Sequence, residues 1–144
     1  MYKDSFLRVK NEGINITIHA GEGDGVHSIQ EALDNGAKRI GHGVRIIEDI
    51  SDDNKLGPTA DHILQNNMPL EVCITSNLHT NMYKNPQDHP ISRLHNLGFN
   101  ISLNTDNRLM SNTSIDNELN VAIAAGIENP TSLLKYSASD SFLN

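Results

Sequence analysis

A single cysteine, Cys73, stands among 144 residues, so no internal disulfide framework holds this chain together. It sits in the apolar run 69–74, where a small buried thiol is the expected reading. No apolar run approaches the roughly 18 residues a membrane span needs, so no membrane partner is expected. The first ten residues have no apolar centre and no small-residue cleavage site, which excludes a secretory leader there and implies a cytoplasmic location. The Asn-x-Ser/Thr matches at Asn15, Asn100 and Asn112 are then chance. Positive charge is scarce: 11 Lys and Arg face 18 Asp and Glu, a net charge of −7. A chain this acidic repels phosphate backbones, which argues against a nucleic-acid partner. Gly21, Gly23 and Gly25 lack the spacing of a dinucleotide fingerprint. The stretch from Asp49 to Asp53 opens like a calcium loop but lacks its central glycine and has Ala60 where the terminal Glu belongs.

What is present reads as one globular domain, with 37% hydrophobic and 20% charged residues. Four short apolar runs rich in Ile, Val, Leu and Thr predict strands over residues 14–19, 37–41, 70–75 and 100–105. Each follows a helix-like segment ending in Gly or Asn, at Gly13, Gly36, Asn66-Asn67 and Gly98, residues suited to left-handed helix caps. Ser28 with Glu31 has capping-box spacing, and Pro90 suits the first turn of a helix running to about Leu97. Ile115, Leu119, Ala122 and Ile123 predict one helix face; further helices are expected over 1–12 and 131–138. Strands alternating with helices imply an α/β fold with a parallel sheet and right-handed crossovers. An eight-unit (βα) barrel takes about 250 residues. Four units in this length therefore make half a barrel or a small open sheet.

Every predicted strand ends in residues capable of chemistry: His19-Ala-Gly-Glu22, Gly41-His-Gly43, Thr75-Ser-Asn77 and Thr105-Asp-Asn107. Parallel α/β folds place their sites at these ends. His19 can offer a ring nitrogen to a metal, and Glu22, three residues on, can act as acid or base beside it. A histidine and a carboxylate on an ordinary loop is the competing reading. His42 lies between two glycines, which leave its ring room, and could equally be a structural histidine. Asp106 would need a cation or donors to stay ionised, or it caps the next helix. Asn107 can read a heterocycle edge or close a turn. His27, His62, His79, His89 and His95 read mainly as surface residues.

Taken in order, His19-Ala-Gly-Glu22, Arg39-Ile-Gly-His-Gly43, Glu71-Val-Cys-Ile-Thr-Ser-Asn77 and Ser102-Leu-Asn-Thr-Asp106 resemble the signature segments of adenosine deaminases. Asn107-Arg-Leu-Met-Ser111 is similar to a bacterial branch of that family, and the resemblance covers roughly residues 1–140. It implies a (βα)8 barrel with one zinc ion, with this chain as its C-terminal half, the last four βα units. It also implies roles. His19 and Asp106 match zinc ligands, and Glu22 the carboxyl that protonates a purine ring nitrogen. His42 matches the histidine that orients and helps deprotonate the zinc-held water, and Asn107 stands where many members have an aspartate that bonds purine N7. Zinc brings the pKa of its water toward ~7, and the hydroxide would attack purine C6 as ammonia leaves. The other zinc deaminase class needs a Cys-x-x-Cys, which one cysteine excludes.

The family's His-x-His pair is absent from this sequence. With two matched ligands where catalytic zinc usually has three, the isolated chain is expected to be inactive. The parent is expected to act on adenosine or deoxyadenosine; the alternatives are adenine or a nucleotide as substrate, or a non-catalytic half-barrel. Expected partners are a purine nucleoside and either the N-terminal half-barrel or a second copy joined through open sheet edges. Ile16, Ile18, Val72, Ile101 and Leu103, or the alternate set on each strand, would face the lumen.

Overall fold

The computed structural model describes residues 2–134 and Phe142. Helix α1 (Tyr2–Asn11) leads into β1 (Thr17–Ala20), and α2 (Val26–Asp34) into β2 (Arg39–His42). A 3-10 helix (Val44–Asp49) and α3 (Pro58–Gln65) follow, then β3 (Leu70–Val72), α4 (Ile74–His79) and α5 (Ile91–Asn96). The chain continues through β4 (Ile101–Leu103), α6 (Ile115–Ala124) and a 3-10 turn (Pro130–Leu134). All strand pairs are parallel and the order is β1-β2-β3-β4. Sequential order with right-handed crossovers keeps the connecting helices on one face, the winding of a barrel rather than of a doubly wound sheet.

The register separates two faces by chemistry. Thr17 pairs with Arg39, His19 with Gly41, Gly41 with Glu71, and Glu71 with Ser102, so these residues share one face. The other face carries Ile18, Ala20, Ile40, Leu70, Val72, Ile101 and Leu103 and forms the core with Ile29 of α2, Ile63 of α3, and Ile91 and Leu94 of α5. Ile29, Ile40, Ile63, Leu70, Val72, Ile91 and Leu94 are all 0% exposed. Each such side chain contributes about 1.5–3 kcal/mol by leaving water. The expectation of an aliphatic lumen is therefore corrected to its alternate. Ile18, Val72, Ile101 and Leu103 point toward the helices. The opposite face is polar, with an Arg39–Glu71 ion pair at 3.0 Å.

The helix stops fall as expected, with left-handed Gly13, Gly36, Asn67 and Gly98 ending the segments before the four strands. Other local readings change. Strand β3 is three residues long because the chain turns into α4 at Ile74, so Thr75, Ser76 and Asn77 belong to a helix rather than a strand end. The Ser28–Glu31 capping box is replaced. Helix α2 begins at Val26 with Gly25 as its cap, and Ser28 sits inside the first turn, donating to Gly25 O and accepting Gly21 N–H. On α6, Ile115 and Ile123 are 38% and 57% exposed, and the inward positions are Glu118 and Ala122. Glu118 accepts Thr75 N–H at 3.2 Å and the Thr113 hydroxyl at 3.0 Å, so a polar anchor occupies the centre of that face. Of the helix expected over 131–138, residues 131–134 form part of the last 3-10 turn, and 135–138 lie outside the described residues.

Helix α3 starts on Gly57, which has no side chain to cap it. Asp49, from the preceding 3-10 helix, reaches across, and its Oδ2 accepts the N–H groups of Thr59 and Ala60 at 2.9 Å each. Asp49→Ala leaves both donors without this partner and should cost about 1–2 kcal/mol, the usual worth of a helix cap. Urea unfolding checks this; Asp49→Asn, which keeps an acceptor, should lose less.

Candidate active site

The carboxyl ends of the strands meet at one edge of the sheet. Glycine makes this possible at Gly21, where φ is +68° and a Cβ would come within 2.5 Å of Ile29 and 3.0 Å of the Gly43 backbone. Six described non-glycine residues have positive φ; four are asparagines and the others are His42 (65°) and Asp106 (54°). Holding such a conformation costs on the order of 1–3 kcal/mol each, and such strain collects where function requires it. Both residues turn back over the strand ends as a result.

His19, on the polar face of β1, has its side chain 65% exposed and its Nε2 3.4 Å from Glu22 Oε2. Glu22, in the turn beyond β1, is itself buried. Its Oε1 accepts Asn77 Nδ2 at 2.8 Å and lies 3.3 Å from His42 Nδ1. His42 is 4% exposed, and its Nε2 faces Asp106 Oδ2 at 4.0 Å. The His19 and His42 rings lie 4.6 Å apart between centroids. Ser76 donates to Asp106 Oδ2 at 2.8 Å. Burial lowers the His42 pKa below its ordinary value, opposed in part by the Glu22 charge, so the ring is neutral at pH 7. Burial drives the Cys73 thiol far upward, which keeps it from acting as a nucleophile.

A cleft of about 370 Å³ opens between His19, His42, Glu71, Cys73, Asn104 and Asp106. Two donor sets suit a metal there. Donor atoms of His19, Glu22 and His42 lie within 4.8 Å of one another. Glu22 and His42, however, are buried and engaged by Asn77, whereas the side chains of His19 and Asp106 are 65% and 40% exposed. An imidazole and a carboxylate open to a cleft are ligand types that zinc takes, so these two fit the implied metal best. Asn107 is exposed, and its Oδ1 accepts Met110 N–H at 3.0 Å, the turn-closing alternative.

One histidine is corrected outright. His89, expected at the surface, is 3% exposed. Its Nδ1 accepts Ile91 N–H at 3.2 Å, its Nε2 lies 3.2 Å from Asn77 Oδ1, and its ring meets Tyr83 edge-on at 4.9 Å. Burial holds its pKa down to about 4, while Tyr83, pushed up to about 12 by burial, stays neutral. The unfolded chain therefore binds this proton more tightly than the folded one. The associated stability is complete above pH 6.5 and is lost as the pH falls from 6.5 toward 4, a span worth about 3 kcal/mol. Urea unfolding at pH 7, 5.5 and 4.5 should show that decline, and His89→Gln should flatten it.

A singly wound parallel sheet with acid–base groups and metal-type donors at its carboxyl edge is the arrangement of a (βα)-barrel enzyme. The adenosine deaminase family model matches residues 1–133. Adenosine deaminase 1 of Streptomyces coelicolor is 46% identical over 127 residues, 85% of this chain and 32% of that protein. The apo N6-methyl-AMP deaminase of Arabidopsis thaliana superposes with a TM-score of 0.75 at 26% identity, covering 96% of this chain and 39% of that one. An amidohydrolase from Burkholderia ambifaria with bound zinc shares the fold, with a TM-score of 0.68 at 19% identity, over 96% of this chain and 35% of its own. The chain belongs to the adenosine deaminase family, and it spans about a third of the length of the curated relatives it matches.

Proposed function

We propose that this chain carries the catalytic edge of a zinc-dependent purine nucleoside deaminase. The reaction is adenosine or deoxyadenosine plus water giving inosine or deoxyinosine plus ammonia. The convergence of His19, His42 and Asp106 on one cleft, with Glu22 against both histidines, carries the reading. His19 and Asp106 would hold the zinc. When bound, zinc supplies Lewis acidity, enough to bring the pKa of a water molecule down to about 7. The protonated Glu22 carboxyl, steadied by Asn77, delivers its proton to the purine ring nitrogen as water adds at C6 and is restored by the proton that water gives up. His42, neutral and buried, orients that water through its ring. Asn107 has an amide NH2 suited to purine N7. Residues 1–144 read as one partial domain, the last four βα units of a C-terminal half-barrel. Their partner is the N-terminal half or a second copy, in the cytoplasm.

A related 6-aminopurine is the second substrate reading, favoured by the N6-methyl-AMP deaminase among the neighbours. A chimera tests both: these residues replace the aligned third of the Streptomyces enzyme, and adenosine, adenine and AMP are offered with zinc. Faster turnover of adenosine supports the proposal. A preference for adenine or AMP moves it to the second reading, and a folded, zinc-loaded but inactive chimera leaves only a non-catalytic half-barrel.

A further inference from the structure

The hydrogen bonds behind the cleft have a direction, and a backbone group sets it. Ile91 N–H points at His89 Nδ1, 3.2 Å away. That nitrogen must accept, so the neutral ring carries its proton on Nε2. Nε2–H then donates to Asn77 Oδ1 at 3.2 Å. With its oxygen committed, the Asn77 amide has only its NH2 to offer on the other side. There it finds Glu22 Oε1 at 2.8 Å and, at a longer 3.3 Å, His42 Nδ1, which itself lies 3.3 Å from Glu22 Oε1. A His42 ring that accepts at Nδ1 carries its own proton on Nε2, the nitrogen facing Asp106.

Asn77 is 0% exposed and His89 3%, so water cannot substitute for either bond. Helix α4, which carries Asn77, is also held at its start, where the Thr75 N–H donates to Glu118. Asn77 is thus fixed through its helix at one end and through His89 at its side-chain oxygen.

We propose that His89 and Asn77 are positioning residues for deamination: the His89 Nε2–H tautomer orients the Asn77 amide, and that amide sets the Glu22 carboxylate and the His42 tautomer. The proposal rests on Glu22 as the acid of the proposed reaction and His42 as the group that orients its water. A buried histidine that only filled space would be replaceable by any side chain of similar bulk. A positioning histidine is replaceable only by one that returns the donor.

Two variants in the chimera separate these cases. His89→Leu keeps bulk and removes the donor; kcat should fall about 10- to 100-fold, the usual effect of losing a supporting hydrogen bond behind an active site, with zinc content and KM unchanged. His89→Gln restores an N–H near the position of Nε2 and should recover most of kcat. Independently of any activity, nitrogen-15 spectra of the 144-residue chain at pH 7 should show His89 wholly as the Nε2–H tautomer. His42 should be in the same form, and both Asn77 amide protons should be protected from exchange. Full kcat in folded His89→Leu, no recovery in folded His89→Gln, or an Nδ1–H or mixed tautomer at His89 would each overturn the proposal. An inactive chimera with the expected tautomers and protected amide would discard the deaminase reading and its catalytic role for the pair, while confirming the hydrogen-bond order itself. Should His89→Leu not fold, the spectra of the unaltered chain and the His89→Gln rate still decide.

Discussion

Replacing Glu22 with Gln in the chimera should lower kcat for adenosine by about 10²–10⁴-fold, the range a general acid–base group supplies. Zinc content and unfolding midpoint should stay near those of the parent. The geometry favours a clean substitution. Glu22 accepts Asn77 Nδ2 through Oε1, and a glutamine carbonyl oxygen can take the same bond. Oε2, directed at His19, becomes an NH2 that cannot release a proton to a ring nitrogen. Shape and the Asn77 contact survive while proton delivery does not. Steady-state rates with adenosine, alongside metal analysis of the purified variant, make the measurement. A variant with near-parental kcat removes Glu22 from the acid role and shifts attention to His42, the other titratable group bonded to Asn77.

The architecture was legible because its signals are local. Apolar runs about as long as a strand, each preceded by Gly or Asn in a left-handed position, mark four βα units without any knowledge of packing. His19, Glu22, His42 and Asp106 stood out for the same reason, since polar residues following a parallel strand collect at one edge by topology alone. Tertiary pairing left no such trace. Nothing near His89 in sequence announces that Asn77, twelve residues earlier, will meet its Nε2. Nor does the period of α6 reveal that Glu118 sits inward, because its partners Thr75 and Thr113 come from a different helix and a loop. A histidine before a proline at a helix start was the one available hint, and it reads equally well as a surface turn. The lumen face stayed open between two sets for a different reason. Period-two alternation divides a strand into two sets but does not say which set faces the helices. Arg39 opposite Glu71, once the register is known, identifies the polar set.

Zinc binding distinguishes the two donor sets at the cleft. In the chimera, His19→Ala should weaken zinc about 100-fold, and Asp106→Asn should weaken it comparably. A complete structural zinc site is worth about 10–16 kcal/mol, so one ligand in four accounts for roughly 3 kcal/mol. The 144-residue chain alone, offering His19 and Asp106, should retain about half of that energy and bind zinc only in the micromolar to submillimolar range. Competition with a chelator of known affinity measures both. The rival set of His19, Glu22 and His42 predicts another pattern, because His19 is common to both but Asp106 and Glu22 are not. If the rival holds the metal, Glu22→Gln loses zinc and Asp106→Asn keeps it. Burial argues against that outcome. Zinc on the remaining Glu22 Oε2 and His42 Nε2 would leave both Asn77 bonds intact, but it would have to give up its hydration beside a buried carboxylate. His19 and Asp106 carry no such cost, since their donor atoms already open onto the cleft and the Ser76 hydroxyl occupies only one oxygen of the aspartate. Zinc lost from Asp106→Asn but kept by Glu22→Gln assigns the ligands; the reverse pattern would falsify the assignment and remove Glu22 from proton transfer as well.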